Sequence, residues 1–349
     1  MTTQLLLAPE RTQFTVKRPI WQQEGIGFQV EHSIFDPVEA LILAAANWGV
    51  YQTKLTANLV DPNTEIPYLY EDTNLYGVFR ETDNQYLGAV GNGFKIVQNV
   101  NGFNWFLPFL QGEHAYIESA GTLRNGEIVW VVARLTEDSS FEIVPDDTVE
   151  QRLLLTLCHN TRRSPQATFI NTRTVCQNVL GQASHTARSN QSLMRMRQTK
   201  SIDTQMINVG KKIDLARACF SQDVNAYRRL ANILLSVDRV RDLLKVLYAE
   251  PLSKIVEKPM GVFNQRYTLD TYRPTRIILE ALETQTELQL PYVVGTAWAL
   301  YNAIAHYYTY REGERRRGSA LTKTEAQLEA LWFVDKKNIL NQALDLLLG

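Results

Sequence analysis

Residues 115–135 read AYIESAGTLRNGEIVWVVARL, two apolar runs joined through Asn125-Gly126. Asn-Gly accepts the positive φ angles of a tight turn, and the β-branched and aromatic residues on either side suit a pleated strand. The stretch predicts a β-hairpin of Ala115–Ala120 against Ile128–Leu135. Period-two runs at Val50–Val60, Leu75–Arg80 and Tyr86–Val90, and again at Leu153–Leu157 and Ala167–Ile170, extend the strand pattern outward from it. Between them Val97–Leu110 (VQNVNGFNWFLPFL) has near-helical spacing, cut short by Gly102 and Pro108. Ahead of the strands, Asp36 as N-cap, Pro37 behind it and Glu39 in the first turn announce a helix running through Leu41 to Trp48.

After Thr172 the spacing becomes helical: Arg173–Ala183, Asp203–Phe220, Val224–Tyr248, Arg276–Leu282, Val293–Tyr310 and Lys323–Leu348, with Gly261–Thr275 as a long loop. The expected class is α+β, with a β-hairpin-rich N-terminal half that carries some helices and a mainly helical C-terminal half. Three regions follow: a loosely ordered arm at 1–35, an α+β core at 36–202 and a helical region at 203–349.

With 45% hydrophobic residues in 349, the chain has ample material for a packed core. Its formal charge of −1 predicts no bulk affinity for polyanions, so any such affinity must come from charge distribution. Cys158, Cys176 and Cys219 lack the spacing of a zinc or redox pair, which leaves buried thiols as the expectation. No window approaches an apolar membrane span, and Met1–Pro9 has no basic lead into one, so the expected location is the cytoplasm, away from membranes.

The charges are unevenly placed. Residues 151–202 hold eight basic side chains (Arg152, Arg162, Arg163, Arg173, Arg188, Arg195, Arg197 and Lys200) and no acid, whereas 113–150 hold nine acids against Arg124 and Arg134. A guanidinium fork matches phosphate, and a row of cations gains by releasing counterions from a nucleic acid. The eight cations are therefore the candidate phosphate contacts, with single-stranded DNA as the expected partner. The competing reading pairs the basic stretch with the acidic one before it. In an oligomer both can hold, and opposite poles on one chain predict head-to-tail rings or filaments. A second cluster, Arg311 to Arg317 behind Tyr301, Tyr307, Tyr308 and Tyr310, could stack bases or simply cap a helix over core tyrosines.

An enzyme is poorly supported. Glu113, His114, Cys158, His159, Cys176 and His185 are the reactive side chains nearby, but Cys176 and Asn178 would diverge on a helix, and Cys158 and His159 would face opposite sides of a strand. Asp146, Asp147 and Glu150 could hold Mg²⁺ in a nuclease, yet no companion motif completes such a site, and a solvated acidic loop is expected instead. No catalytic residue, metal ligand or cofactor is assigned. A self-assembling interaction protein and a metal-dependent nuclease are the alternatives to nucleic-acid binding.

Thr172-Arg-Thr-Val-Cys-Gln-Asn-Val-Leu180 followed by His185-Thr-Ala-Arg188 resembles a block of the phage- and plasmid-associated domain-of-unknown-function family 932, which reads Arg-x-Val-Cys-x-Asn-Thr-Leu and then His-Thr. Tyr86-Leu-Gly88, Phe94-Lys-Ile-Val-Gln-Asn99, Ala120-Gly121 and Ile128-Val-Trp130 resemble its strand and hairpin blocks, and Gly295-Thr-Ala-Trp298 with Asn302-Ala-Ile304 its C-terminal helix. Where many members carry His-Asp-Gly this chain has Cys158-His-Asn-Thr161. The resemblance implies phage or plasmid DNA biology rather than a particular reaction. A fainter likeness, in the order strand, aromatic-rich helix, hairpin over Tyr86–Leu135, is to the single-strand annealing proteins of the Red beta and Rad fifty-two group.

Overall fold

A computed structural model of the protein describes residues 13–15, 28–29, 32–112, 114–136, 139–175, 178–180, 193–253, 255–257, 264–311, 325–326, 328 and 337–349. The chain forms two compact units that interleave in sequence. The first takes residues 1–137, 153–169 and 191–215, the second 138–152, 170–190 and 216–349. The fold is α+β, with antiparallel sheets concentrated in the N-terminal half and helices in the C-terminal half.

In the first unit, helix α1 (Pro37–Leu43) starts as its sequence requires: Asp36 is the N-cap and its carboxylate accepts from the Val38 amide at 2.9 Å. Strands β3 (Val50–Val60), β4 (Pro67–Arg80) and β5 (Tyr86–Gly91) form a three-stranded antiparallel sheet. The Val97–Leu110 stretch becomes two short helices, α2 (Asn99–Asn104) and α3 (Leu107–Gln111).

The expected hairpin is present as β6 (Ala115–Leu123) and β7 (Ile128–Leu135), in register Leu123↔Ile128. Its turn places Arg124, Asn125 and Gly126 at φ of 54°, 55° and 97°. A Cβ on Gly126 would lie 2.9 Å from the Trp48 ring, so both the turn and its packing demand glycine. Within the N-terminal stretch, β1 (Gln13–Thr15) pairs antiparallel with β6 and parallel with β2 (Phe28–Gln29). Strands β9 (Asp147–Cys158) and β10 (Gln166–Arg173) run on from one unit into the other, and β12 (Leu193–Arg195) pairs with the first-unit end of β10.

The second unit adds β8 (Ser140–Val144) to the start of β9 and β11 (Val179–Leu180) to the end of β10. Its core surrounds α8 (Ala297–His306), buried from Ala297 to Ala305. Tyr227 from α4 (Ile202–Ala231, whose later residues belong here) packs at a tilt against Trp298 and Tyr301 at ring separations of 5.2 and 6.0 Å. Helices α5 (Val237–Leu247), α7 (Arg273–Thr284) and α9 (Lys337–Leu348) complete the layer, joined by the short α6 (Ala249–Ser253) and a β13–β14 pair (Ile255–Glu257, Asn264–Arg266). The last pair stands where the long loop was expected to begin. Among the described residues no helix is long and apolar enough to cross a membrane.

Two expectations fail here, and for one reason. Where the helix 173–183 was expected, the described residues form strand: Arg173 ends β10 and Val179–Leu180 form β11. Asp147 and Glu150 are not in a solvated loop but buried at the start of β9. Arg173 has no exposed surface, and its guanidinium grips Asp147 at 2.7–2.9 Å through both Nε and Nη2, while Nη2 also donates to the Glu287 carbonyl. Trp298 Nε1 donates to the same carboxylate at 2.8 Å. A buried charge of this kind outweighs local helix preference, because unpairing it costs several kcal/mol against a few tenths per residue of propensity.

Asp147→Asn should therefore destabilise the protein by about 3–5 kcal/mol, the typical cost of stranding a buried partner charge. The adjacent exposed Asp146→Asn should stay within about 0.5 kcal/mol. Urea denaturation followed by far-ultraviolet circular dichroism checks both, and equal midpoints for the two variants would show that the pair does not stabilise the fold.

Candidate nucleic-acid interface

The link between β9 and β10, Cys158 to Pro165, is fixed from below by two buried side chains. His159 packs at a tilt against Trp48, ring centroids 5.4 Å apart, and its Nε2 lies 2.8 Å from Asn99 Oδ1. The Asn99 amide is in turn held by the Ala46 and Trp48 carbonyls. Asn160 donates through Nδ2 to the Leu87 carbonyl and to Glu127 Oε2, both at 2.9 Å, and its Oδ1 accepts from the Arg162 amide. Gly88, at φ +146°, leaves the room: a Cβ there would come within 2.6 Å of Asn160 Cβ. The turn is thereby locked, and it carries Arg162 and Arg163 at its apex.

Burial and hydrogen bonding set the chemistry of this base. Desolvation pushes the Cys158 thiol up to about 12, with nearby Arg163 acting weakly in the other direction, so the thiol is not a nucleophile near neutral pH. Desolvation also lowers His159 to about 3, which keeps the imidazole neutral. Neither group is placed for acid–base work on an outside substrate, and both are structural.

Beside this turn lies β12. Gln166 is opposite Arg195, and the Met196 amide donates to the Pro165 carbonyl at 2.9 Å. Burial alternates strictly from 194 to 199: Met194, Met196 and Gln198 point inward, while Arg195, Arg197 and Thr199 are exposed, with Lys200 exposed after them. Gln205, early in α4, holds the Arg197 backbone through its amide and carbonyl, and the Lys95 amide donates to the Gln198 carbonyl. Arg162, Arg163, Arg195, Arg197 and Lys200 thus share one edge of the first unit's sheet. Arg162, with 67% of its side chain exposed, lies 3.8 Å from Glu127, whose side chain is 22% exposed.

Two more of the eight cations are elsewhere. Arg152 and Arg173 are not surface residues and are corrected accordingly. Arg152 is buried against Glu150 at 2.9 Å and hydrogen-bonded to Thr172, and Arg173 is consumed by Asp147. In these two pairs the basic stretch does meet the acidic stretch before it, inside the second unit. Arg188 lies outside the described residues, as do Cys176 and His185. Of the second basic cluster only Arg311 is described; Tyr301 and Tyr307 behind it are buried in the core.

Sequence reasoning missed Asn160 and Gly88 as organisers of the turn. The signal was the Asn two residues before an arginine at a strand end, where a side-chain oxygen can cap the turn amide. It also missed β12, although Met-Arg-Met-Arg at 194–197 carries the period of a half-buried strand.

A family model described as Domain of unknown function (DUF932) matches residues 86–332. No curated protein and no solved structure matches the chain, so the fold likeness expected toward single-strand annealing proteins has no solved structure behind it. The blocks that carry the family resemblance meet in space within each unit. In the second, Arg173 and Trp298 share Asp147, and Asn178 donates to the Asn302 carbonyl at 3.0 Å. In the first, Gly88 receives Asn160.

The neutral His159 gives the fold a pH dependence. The unfolded imidazole takes up a proton near pH 6.5 and the folded one only near 3, so the unfolded chain binds more protons as pH falls between them. Stability should be full above about pH 6.5 and decline steadily toward pH 3, by up to about 5 kcal/mol at about 1.36 kcal/mol per pH unit. Thermal melts of wild type and His159→Gln between pH 7 and 4 test this. The variant should start less stable and show a shallower decline, and parallel curves would exclude His159 as the source.

Proposed function

We propose that this chain, which belongs to the DUF932 family, binds single-stranded nucleic acid along the edge formed by the β9–β10 turn and β12. The observation that supports the reading is the set of exposed Arg162, Arg195, Arg197 and Lys200 with half-buried Arg163 beside them, held on two adjacent backbone segments whose inward residues are packed. A locked turn and a paired edge strand present the cations from an already ordered backbone, which favours backbone phosphate over a specific base sequence. Arg188 completes the candidate set by its sequence position alone. The proposed role needs no cofactor and involves no catalysis. Phage- or plasmid-type DNA recombination or replication, in the cytoplasm, is the setting that the family resemblance suggests. DNA is proposed ahead of RNA on the same ground.

Five phosphate contacts to a single strand predict that log K falls against log salt with a slope of about −3.5, at roughly −0.7 per contact. Replacing Arg162, Arg195 and Arg197 together by alanine should bring the slope to about −1.4 and leave the far-ultraviolet spectrum unchanged, because the Asn160 cap and the strand pairing use backbone groups. Fluorescence anisotropy with labelled oligo-dT, oligo-U and a duplex, from 50 to 300 mM salt, measures this. An unchanged slope in the triple variant would sink the assignment, and preference for duplex would sink the single-strand choice.

A further inference from the structure

Where all three strands of the β3–β4–β5 sheet pair, its two sides are unlike. Cross-strand partners and residues two apart share a side, which puts Val50, Val78 and Val90 together on one, and all three are buried. The other side carries Tyr51 opposite Phe79 and Phe79 opposite Tyr86, one ring from each strand. The Tyr51 and Phe79 rings stack with centroids 5.6 Å apart, and Phe79 meets Tyr86 at a tilt at 5.5 Å. The next row on this side is Thr53, Gly77 and Ala89, so the two rows hold rings and small side chains and carry no charge.

A Cβ on Gly77 would stand 2.6 Å from Phe79 Cε2, so the Phe79 ring rests over the glycine backbone. An aromatic that covers a strand glycine has a structural reason to be there and needs no ligand. Tyr51 also has one, since its hydroxyl donates to Asn84 Oδ1 at 2.9 Å. Tyr86 is different: it stands on β5, an edge strand, and keeps 47% of its surface exposed although its ring packs against Phe79. Two acids of the surroundings are engaged, Asp83 by Nε and Nη2 of Arg80 at 2.8 and 2.7 Å and Glu127 by the Asn160 amide at 2.9 Å.

We propose that Tyr86 is a stacking platform for an unpaired base of the strand whose phosphates lie on the basic edge, an inference that rests on the nucleic-acid reading. Leu87, the residue after Tyr86, gives its carbonyl to Asn160, and Asn160 Oδ1 accepts from the Arg162 amide. The exposed ring and the exposed guanidinium are therefore anchored to the same short segment of β5. Their chemistries divide a nucleotide between them: the uncharged aromatic row offers π surface to a base, and the arginine takes the phosphate. Inside a duplex both faces of a base are covered by its neighbours, so a platform of this kind selects single strands. Every base has a π face, so the selection is indifferent to sequence.

Oligo-dT and an abasic strand of the same length, which has the phosphates without the bases, separate stacking from charge. In fluorescence anisotropy across the same salt series, the wild type should bind oligo-dT about fivefold or more tightly than the abasic strand, with parallel salt slopes. Tyr86→Thr should lose that preference and keep the slope, while Tyr86→Phe should retain both. Tyr68→Thr is the control: Tyr68, 49% exposed, lies on the apolar arm where the β3–β4 ribbon runs on beyond β5, and its loss should change nothing. In the unaltered chain, an oligonucleotide carrying 5-iodo-deoxyuridine should photocrosslink to Tyr86. Equal binding of the two strands by the wild type, on a steep slope, would overturn the platform and leave the basic edge standing; a flat slope or no binding would remove both. Equal losses in Tyr86→Thr and Tyr68→Thr, a Tyr86→Phe variant as weak as Tyr86→Thr, or crosslinks found only elsewhere would also overturn it.

Discussion

Arg173 has no contact with water, and a guanidinium cannot be neutralised by giving up its proton at any ordinary pH, so its burial makes a carboxylate obligatory. Asp147 supplies it from the neighbouring strand, and the same carboxylate accepts from Trp298 on α8. One acid thereby fixes where β9 begins, where β10 ends and how α8 is rotated. The tyrosine pair Tyr227 and Tyr301 packs around Trp298 and inherits that position. Above the pair in the same strands, Glu150 holds Arg152, and Asn171 donates to Asp223 at 2.8 Å, so buried, satisfied polar clusters stand beside the second unit's apolar core.

This network explains what could and could not be read from the chain. The 115–135 hairpin, the Asp36 cap and the bounds of β3 were legible, since each depends on residues within a few positions of one another. The helix expected over Arg173–Ala183 was not correct because Val175 to Leu180 has spacing compatible with several structures, and the deciding partners are distant: Asn302 for Asn178 and Thr309 for the Val179 amide. Charge asymmetry was visible as composition, but composition does not say which cations face water. Arg152 and Arg173 sit in strands with acids near them in space, whereas Arg162 follows a strand end and Arg195 and Arg197 alternate with methionines. Local context of that kind separates the buried from the exposed members better than the count of eight.

The candidate edge depends on residues that are not themselves basic. Asn160 satisfies the Arg162 amide and is seated by Gly88 and Leu87, and His159 anchors the turn through Asn99. In a sequence that reads His-Asn-Thr where related chains often read His-Asp-Gly, an amide can both donate and accept where a carboxylate would only accept. The Asn160 Nδ2 donor reaches a backbone carbonyl and Glu127 together, two acceptors that a carboxylate would repel. The departure from the usual block is therefore accommodated by the structure, and it leaves Glu127 available beside Arg162 without adding a second acid to the turn.

The exposed cations and the exposed apolar arm make different physical demands on a partner. Cations at a surface are already well solvated and need no cover; they contribute to binding chiefly through counterion release, so their partner can come and go with ionic conditions. Exposed tyrosine and leucine on the β3–β4 ribbon stay costly to hydrate at every salt concentration, so the salt dependence expected on the proposed reading belongs to the basic edge and not to the ribbon.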